Sequence, residues 1–483
     1  MTSEAGTAGA AATALAMRRG TLDPVAETER CLARIATVNP HLNAFCHMDP
    51  DSARSAAAAS AQRLAAQRLH GPLDGICVAI KDVLDVAGWP TRHGSLATDD
   101  APAPSDSVTA ARLRAAGAVL VGKTTTTEYA WLTDSVSPLT GRTVNPWHPA
   151  LSAGGSSSGS AAAVAAGLVP LAIGTDTGGS VRIPAGFCGV TGFKPSAGRI
   201  PAMLDDGYGA MTHIGIFARD VHDVRLAYDA LVGPDAADPF ALPGESTGAL
   251  LTGPDESPAV LAGCRVVVSP GLGVVALEGA VAAAVEQAVD ALASAGAHVE
   301  RRDPPIGDLG HAFTAYNGPI ARWMLDRLSP EARQRVGPDI HATAMAGDAM
   351  SAADWVAAQS IHRRRAADIG RFMAGSDLLL SATTSIAAFA SETGPPAGWA
   401  ESADGYGWAT PCFVFNMTGQ PAISLPAGRT ADGRPLAVQL AAPRFADRFL
   451  LRAAAALAAL LPATGTPDLT WCAAGAGSGL IRS

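Results

Sequence analysis

Apolar and polar positions along this chain follow two periods, and the changes between them separate helices from strands. Over residues 3–70, Ala, Leu and Arg recur three and four apart, which predicts helices with turns near Gly20 and Asn39-Pro40. An alanine-rich helix over Asp51–His70 should stop at Gly71-Pro72. Gly75–Lys81 (GICVAIK) is a short apolar run between turn residues and predicts a buried strand. Thr109–Ala116 reads as helix and Ala118–Val121 as strand. Further on come a strand at Ile214–Ala218, a helix at Val221–Leu231, a strand at Arg265–Ser269, a helix at Glu278–Ala295 and a strand at His298–Arg301. Strands return at Leu378–Ser381, Ala422–Leu425 and Leu436–Leu440 before a closing helix over Asp447–Leu461.

This alternation predicts an α/β fold. Strands come from both ends of the chain, which favours one large domain over residues 1–483, and no fixed-period repeat is present. Gly233–Ala262, rich in Pro, Gly and Asp, predicts a long surface loop. Residues 308–375 are helical in pattern and carry Phe313, Tyr316, Trp323, Met324, Met345, Met350 and Trp355. Core packing accounts for most of these; one or two are candidates for a pocket wall.

Composition narrows the class. Hydrophobic residues make up 48% and charged residues 16%, enough apolar matter for a large core and far from a disordered chain. Acidic residues outnumber basic ones by 44 to 35, a formal charge of −9 that argues against a nucleic-acid surface. No unbroken apolar run reaches membrane-spanning length. The seven cysteines are scattered, with no CxxC pair, which suits reduced thiols and a cytoplasmic location. The opening MTSEAGTAGAAATALAMRRG lacks the basic start of a signal peptide and reads as an amphipathic helix.

The chemistry concentrates in Ser152–Pro195. Two Gly/Ser knots, Gly154–Ser160 and Gly174–Ser180, flank an Ala/Val-rich segment, too apolar around them for a solvated linker. Serines among glycines offer what acyl transfer needs, a nucleophilic oxygen beside backbone N–H donors. Gly155, Ser157 and Gly159 match G-x-S-x-G, but Trp147-His148-Pro149 makes a poor preceding strand for a nucleophile elbow. Neither knot is followed by the Lys and Ser/Thr of a phosphate-binding loop. Ser180, directly after two glycines, fits better, with a serine–lysine relay as its base because no histidine lies within or directly beside either knot in sequence. Lys81 ends an apolar strand. The pattern alone leaves two readings open. It either emerges to solvent, where Asp82 is a partner, or turns inward, where burial would lower its pKa towards a general base's range.

VAIKD (78–82), GGSSSGSAAAVAAG (154–167) and GTDTGGSVRIPAGFCGVTGFKPS (174–196) resemble the core of the amidase signature family. NMTGQPAISLPAG (416–428) and VQLAAP (438–443) resemble its C-terminal part more loosely, while 233–375 match little. The resemblance implies a central mixed, twisted sheet with helices on both faces: N-terminal helices over 1–70, a catalytic core over 71–232 and a helical insertion, 308–375, over the substrate pocket. It also implies that Ser180 is the nucleophile, Ser156 the bridging serine and Lys81 the base, with a cis Gly155–Ser156 peptide. Thr177, Gly178, Gly179 and Ser180 would supply oxyanion N–H groups. Ser157 and Asp176 would support the loops, and Arg182 would be structural or touch substrate. No metal or other cofactor is implied, and the histidines lack ligand spacing.

Within that family the expected substrate is a small amide or carbamate, cleaved by a monomer or homodimer with no nucleic-acid or membrane partner. Tyr129, Trp131 and Leu132, in EYAWLTDSVS, suggest an apolar or aromatic pocket wall, although the same residues could serve packing alone. Aryl-amide, ester and urethane cleavage, and the glutaminase subunit of an amidotransferase, are the alternatives on the same scaffold.

Overall fold

The computed structural model describes residues 8–244, 246, 248, 257–402 and 405–474. Thirteen strands are present among them: β1 Phe45–Met48, β2 Cys77–Lys81, β3 Val119–Thr124, β4 Val136–Ser137, β5 Gly141–Arg142, β6 Leu171–Asp176, β7 Thr191–Lys194, β8 His213–Ala218, β9 Arg265–Val268, β10 His298–Arg301, β11 Leu378–Ala382, β12 Ala422–Arg429 and β13 Pro435–Ala441. All but the small β4–β5 hairpin join one sheet, in the order β1-β3-β2-β6-β8-β7-β12-β13-β11-β9-β10. Strand β2 runs parallel to both neighbours, β3 and β6, whereas β8, β7, β12 and β13 pair antiparallel. The sheet is therefore mixed, and its central strands come from both ends of the chain.

Helices cover both faces, so the central strands read as continuous apolar runs rather than alternating ones. Val78 and Ile80 pack with Leu113, Leu226 and Leu450 on one face; Cys77 and Ala79 pack with Leu32, Ile35 and Ala161–Val164 on the other. Side chains alternate along a strand, so Lys81 shares the side of Cys77 and Ala79, facing the helix Ser158–Ala165. That parity turns the lysine inward.

Three expectations need correction. The helix predicted over Asp51–His70 spans Pro50–Ala65, because Gln67 takes a left-handed φ of 53° and the Asp74 carboxylate accepts the His70 N–H. Within the stretch predicted to be helical, Phe45–Met48 is an edge strand, drawn out by antiparallel pairing with β3. Met345, expected to pack, is 70% exposed. Of the loop predicted over Gly233–Ala262, residues 245, 247 and 249–256 lie outside the described residues, and Pro258–Leu261 forms a short helical turn.

Over one end of the sheet stand the helices Leu309–Asp326, Pro338–Asp348 and Ala352–Met373. The first two meet glycine on glycine: a Cβ on Gly347 would fall 2.3 Å from the Gly318 carbonyl carbon. Replacing Gly347 with Ala must push these helices apart. The expected cost is about 1–3 kcal/mol, read as a lower midpoint in urea unfolding.

Candidate active site

The carboxyl ends of β2 and β6 lie side by side, where α/β sheets ordinarily hold their ligands. Lys81 closes β2 and is completely buried. Its Nζ donates to Ser156 Oγ at 2.7 Å and to Thr175 Oγ1 at 2.9 Å. Burial lowers its pKa from 10.5 to about 7, against the opposing pull of the Asp176 charge.

Ser156 is buried and follows a cis peptide bond from Gly155. A Cβ at Gly155 would lie 2.0 Å from the Asp134 carbonyl oxygen, so only glycine fits there. Ser157 joins the two knots: its N–H donates to the Ser180 carbonyl at 3.2 Å, and its Oγ donates to the Thr175 carbonyl at 3.2 Å. The Ser180 side chain opens onto a cavity of about 520 Å³. Lys81 and Ser156 are thus directly bonded, with Ser180 set against them through the backbone. No hydrogen bond joins the Ser156 and Ser180 hydroxyls, and such contacts often tighten only when substrate arrives.

The loop that carries Ser180 is shaped by Asp176. Its carboxylate accepts the N–H of Gly179 (2.8 Å) and of Val181 (3.1 Å), and it holds Arg182 through Nε (3.0 Å) and Nη2 (2.8 Å). The Arg182 guanidinium holds this carboxyl far below the usual carboxylate range despite full burial. Gly179 therefore leaves the expected oxyanion set, since its N–H is already committed to Asp176. The N–H groups of Thr177, Gly178 and Ser180 have no partner among the described residues. Arg182 is fully buried and also bonds the Cys412 carbonyl, Gln439 and Asn416, so it is structural and does not reach the cavity.

Tyr129, Trp131 and Leu132 line the cavity, as do Thr177, Gly178 and Ser180. Sequence reasoning missed Thr175, the second partner of Lys81, whose closeness depends on β2 and β6 being neighbours. It also missed His93, which stacks on Tyr129 at 5.7 Å, and the further cavity-lining residues Tyr208, Asn317 and Phe413. In the sequence Phe313 stands out only as one of several helical aromatics. A Cβ on Gly178 would meet its ring at 2.8 Å, so Phe313 rests on the loop beside Ser180.

Lys81 and Ser156 are thus buried beside Ser180, at the mouth of a cavity with unpartnered backbone N–H groups. The family described as Amidase matches residues 26–451, and the chain belongs to this amidase signature family. It is an amidohydrolase acting on amides. It is 34% identical to an acylamidase of Rhodococcus erythropolis, with 91% of this chain and 93% of that protein covered. It is 33% identical to a glutamyl-tRNA(Gln) amidotransferase subunit of Chloroflexus aurantiacus, covering 90% and 93%. A solved bacterial aryl acylamidase of the amidase signature family superposes with a TM-score of 0.84 at 26% identity, covering 98% and 99%. No helix among the described residues is long and apolar enough to cross a membrane.

Replacing Arg182 with Met leaves the Asp176 carboxylate buried without its counter-charge. The expected loss is about 3–5 kcal/mol of stability, measured by urea unfolding.

Proposed function

We propose that this amidohydrolase cleaves small apolar or aromatic amides through an acyl-enzyme on Ser180, with Ser156 as bridge and Lys81 as base. The observation that carries this reading is the buried Lys81–Ser156 contact of 2.7 Å, with the lysine lowered to about 7. A neutral amine keeps two N–H bonds and gains a lone pair. One N–H stays on Thr175, and the lone pair takes the Ser156 proton as Ser156 takes that of Ser180. Ser180 Oγ bonds to the substrate carbonyl carbon, and the new oxyanion accepts from the N–H groups of Thr177, Gly178 and Ser180. Collapse breaks the C–N bond, and the leaving nitrogen receives the proton returned from Lys81 through Ser156. Water then attacks the ester carbon and passes its proton through Ser156 to Lys81; as the C–Oγ bond breaks the acid leaves, and that proton returns through Ser156 to Ser180 Oγ.

The cavity supports the substrate class. Trp131, Tyr208, Phe313, Trp408 and Phe413 contribute to its wall, leaving room for an aryl or compact aliphatic group. Esters and urethanes share the acyl-transfer step and differ in leaving group. A second reading, a glutamine-hydrolysing component of an amidotransferase, draws on the 33% identity to the Chloroflexus protein. It requires a partner enzyme, so turnover of a nitroanilide by the purified chain alone would exclude it.

Ser180→Ala should remove at least about a thousandfold of kcat on such a nitroanilide, and the wild-type ester adduct should appear in the intact mass and be absent from the variant. Retention of normal turnover would overturn the assignment. For the wild type, kcat/KM should climb about tenfold per pH unit below the lysine's pKa and level above it, because only neutral Lys81 accepts a proton. With Lys81 lowered to about 7, the bend falls near pH 7. A profile flat from pH 5 to 9 would remove Lys81 as the base.

A further inference from the structure

The helix Leu309–Asp326 places Phe313, Asn317, Ile320 and Met324 on one face by their spacing of four, three and four, and all four line the cavity. Phe313 marks the end nearest the nucleophile loop, through its contact with Gly178. Asn317 stands about one turn, roughly 5–6 Å, further along the axis. Trp131 and Tyr208 line the same cavity as tilted rings with centroids 6.4 Å apart.

The Tyr208 hydroxyl donates to Asn317 Oδ1 at 2.7 Å. Burial pushes that hydroxyl's pKa above its ordinary value of 10, so it stays a protonated donor. The bond occupies the amide oxygen and fixes the amide plane, while Asn317 Nδ2 has no partner among the described residues. Two N–H donors therefore stand in a largely aromatic space. An apolar ligand that filled it would strip them of water without giving anything back, at a cost of about 1–3 kcal/mol. Charge narrows the choice further. Asp205, Asp206 and Glu401 line the same cavity, against Arg327, which is already paired with Asp205 at 2.6 Å and lies over the Trp323 ring. An anionic ligand group would meet net repulsion there.

We propose that Asn317 is a specificity residue, donating from Nδ2 to a neutral acceptor oxygen at the far end of an aryl or apolar amide whose scissile carbonyl sits at Ser180. This deepens the amidase reading above and rests on it for the position of the scissile bond. Tyr208 acts as its positioning residue, since without the phenol the amide can turn its oxygen into the cavity.

The test uses three anilides of matched size, bearing at the distal end an acetyl group, an isopropyl group or a carboxylate. For the wild type, kcat/KM should favour the acetyl over the isopropyl compound by about 3- to 10-fold, the worth of one net hydrogen bond. That ratio should fall to about 1 in Asn317→Leu and drop in Tyr208→Phe. Asn317→Asp, of the same shape but with acceptors only, should reverse it. Dissociation constants for the same compounds are measured by calorimetry on Ser180→Ala with and without each Asn317 change. If that binding ratio collapses while the wild type cleaves none of the compounds, the reaction proposal fails and the role of Asn317 stands. A ratio untouched by both Asn317 changes, or a carboxylate compound that binds best, overturns the role whatever the turnover.

Discussion

One buried carboxylate holds this site in shape. Asp176 sits at the end of β6 with no solvent access and accepts from backbone N–H groups, from Arg182 and from Asn416 Nδ2. Burying a charge is costly unless it is paired and fully hydrogen-bonded, and here both conditions are met by Gly179, Val181 and Arg182 close by in the chain and by Asn416 from far along it. The same bonds that satisfy the carboxylate curl residues 177–181 around it. The N–H groups left over are those of Thr177, Gly178 and Ser180. The unoccupied donors beside Ser180 are thus what remains once the buried charge has been satisfied.

How much of this was legible in the sequence depended on how locally each feature is encoded. GGSSSGS and GTDTGGS each carry their geometry within a few residues, and VAIK ends its apolar run on the one residue that could supply a base. Whether Lys81 points inward was undecidable from the run itself. It follows from strand parity once Cys77 and Ala79 are known to pack under the helix Ser158–Ala165. Thr175, His93, Tyr208 and Asn317 were invisible as a group because strand order and helix placement alone bring them together. The Gly179 N–H, expected among the oxyanion donors, bonds Asp176 for a related reason. Which N–H the Asp176 carboxylate takes is a matter of three-dimensional geometry that the string GTDTGGS does not specify. Phe45–Met48 was misread as helix because its extended form comes from pairing with β3, a tertiary effect that overrides local preference.

The chemistry and the substrate wall have separate origins in the chain. Lys81, Ser156 and Ser180 come from residues 81–180, whereas much of the far wall comes from residues 313–328 and 401–413. Fold alone does not select a substrate, and relatives at 34% and 33% identity carry the names of an acylamidase and of an amidotransferase component. The two parts meet where Phe313 rests on Gly178. A change of wall at that point also presses on the loop that holds Ser180.

The strand order bears on when the site can exist during synthesis. Strands β12 and β13 are among the last to be made, yet they lie inside the sheet between β7 and β11. Until they emerge, β7 presents an open edge able to pair with other chains. Arg182 meanwhile lacks Asn416 and Gln439, and its guanidinium has only part of its partners. A ribosome-bound chain that already contains Lys81, Ser156 and Ser180 therefore lacks part of the frame that holds them together. That frame is complete only with the last strands.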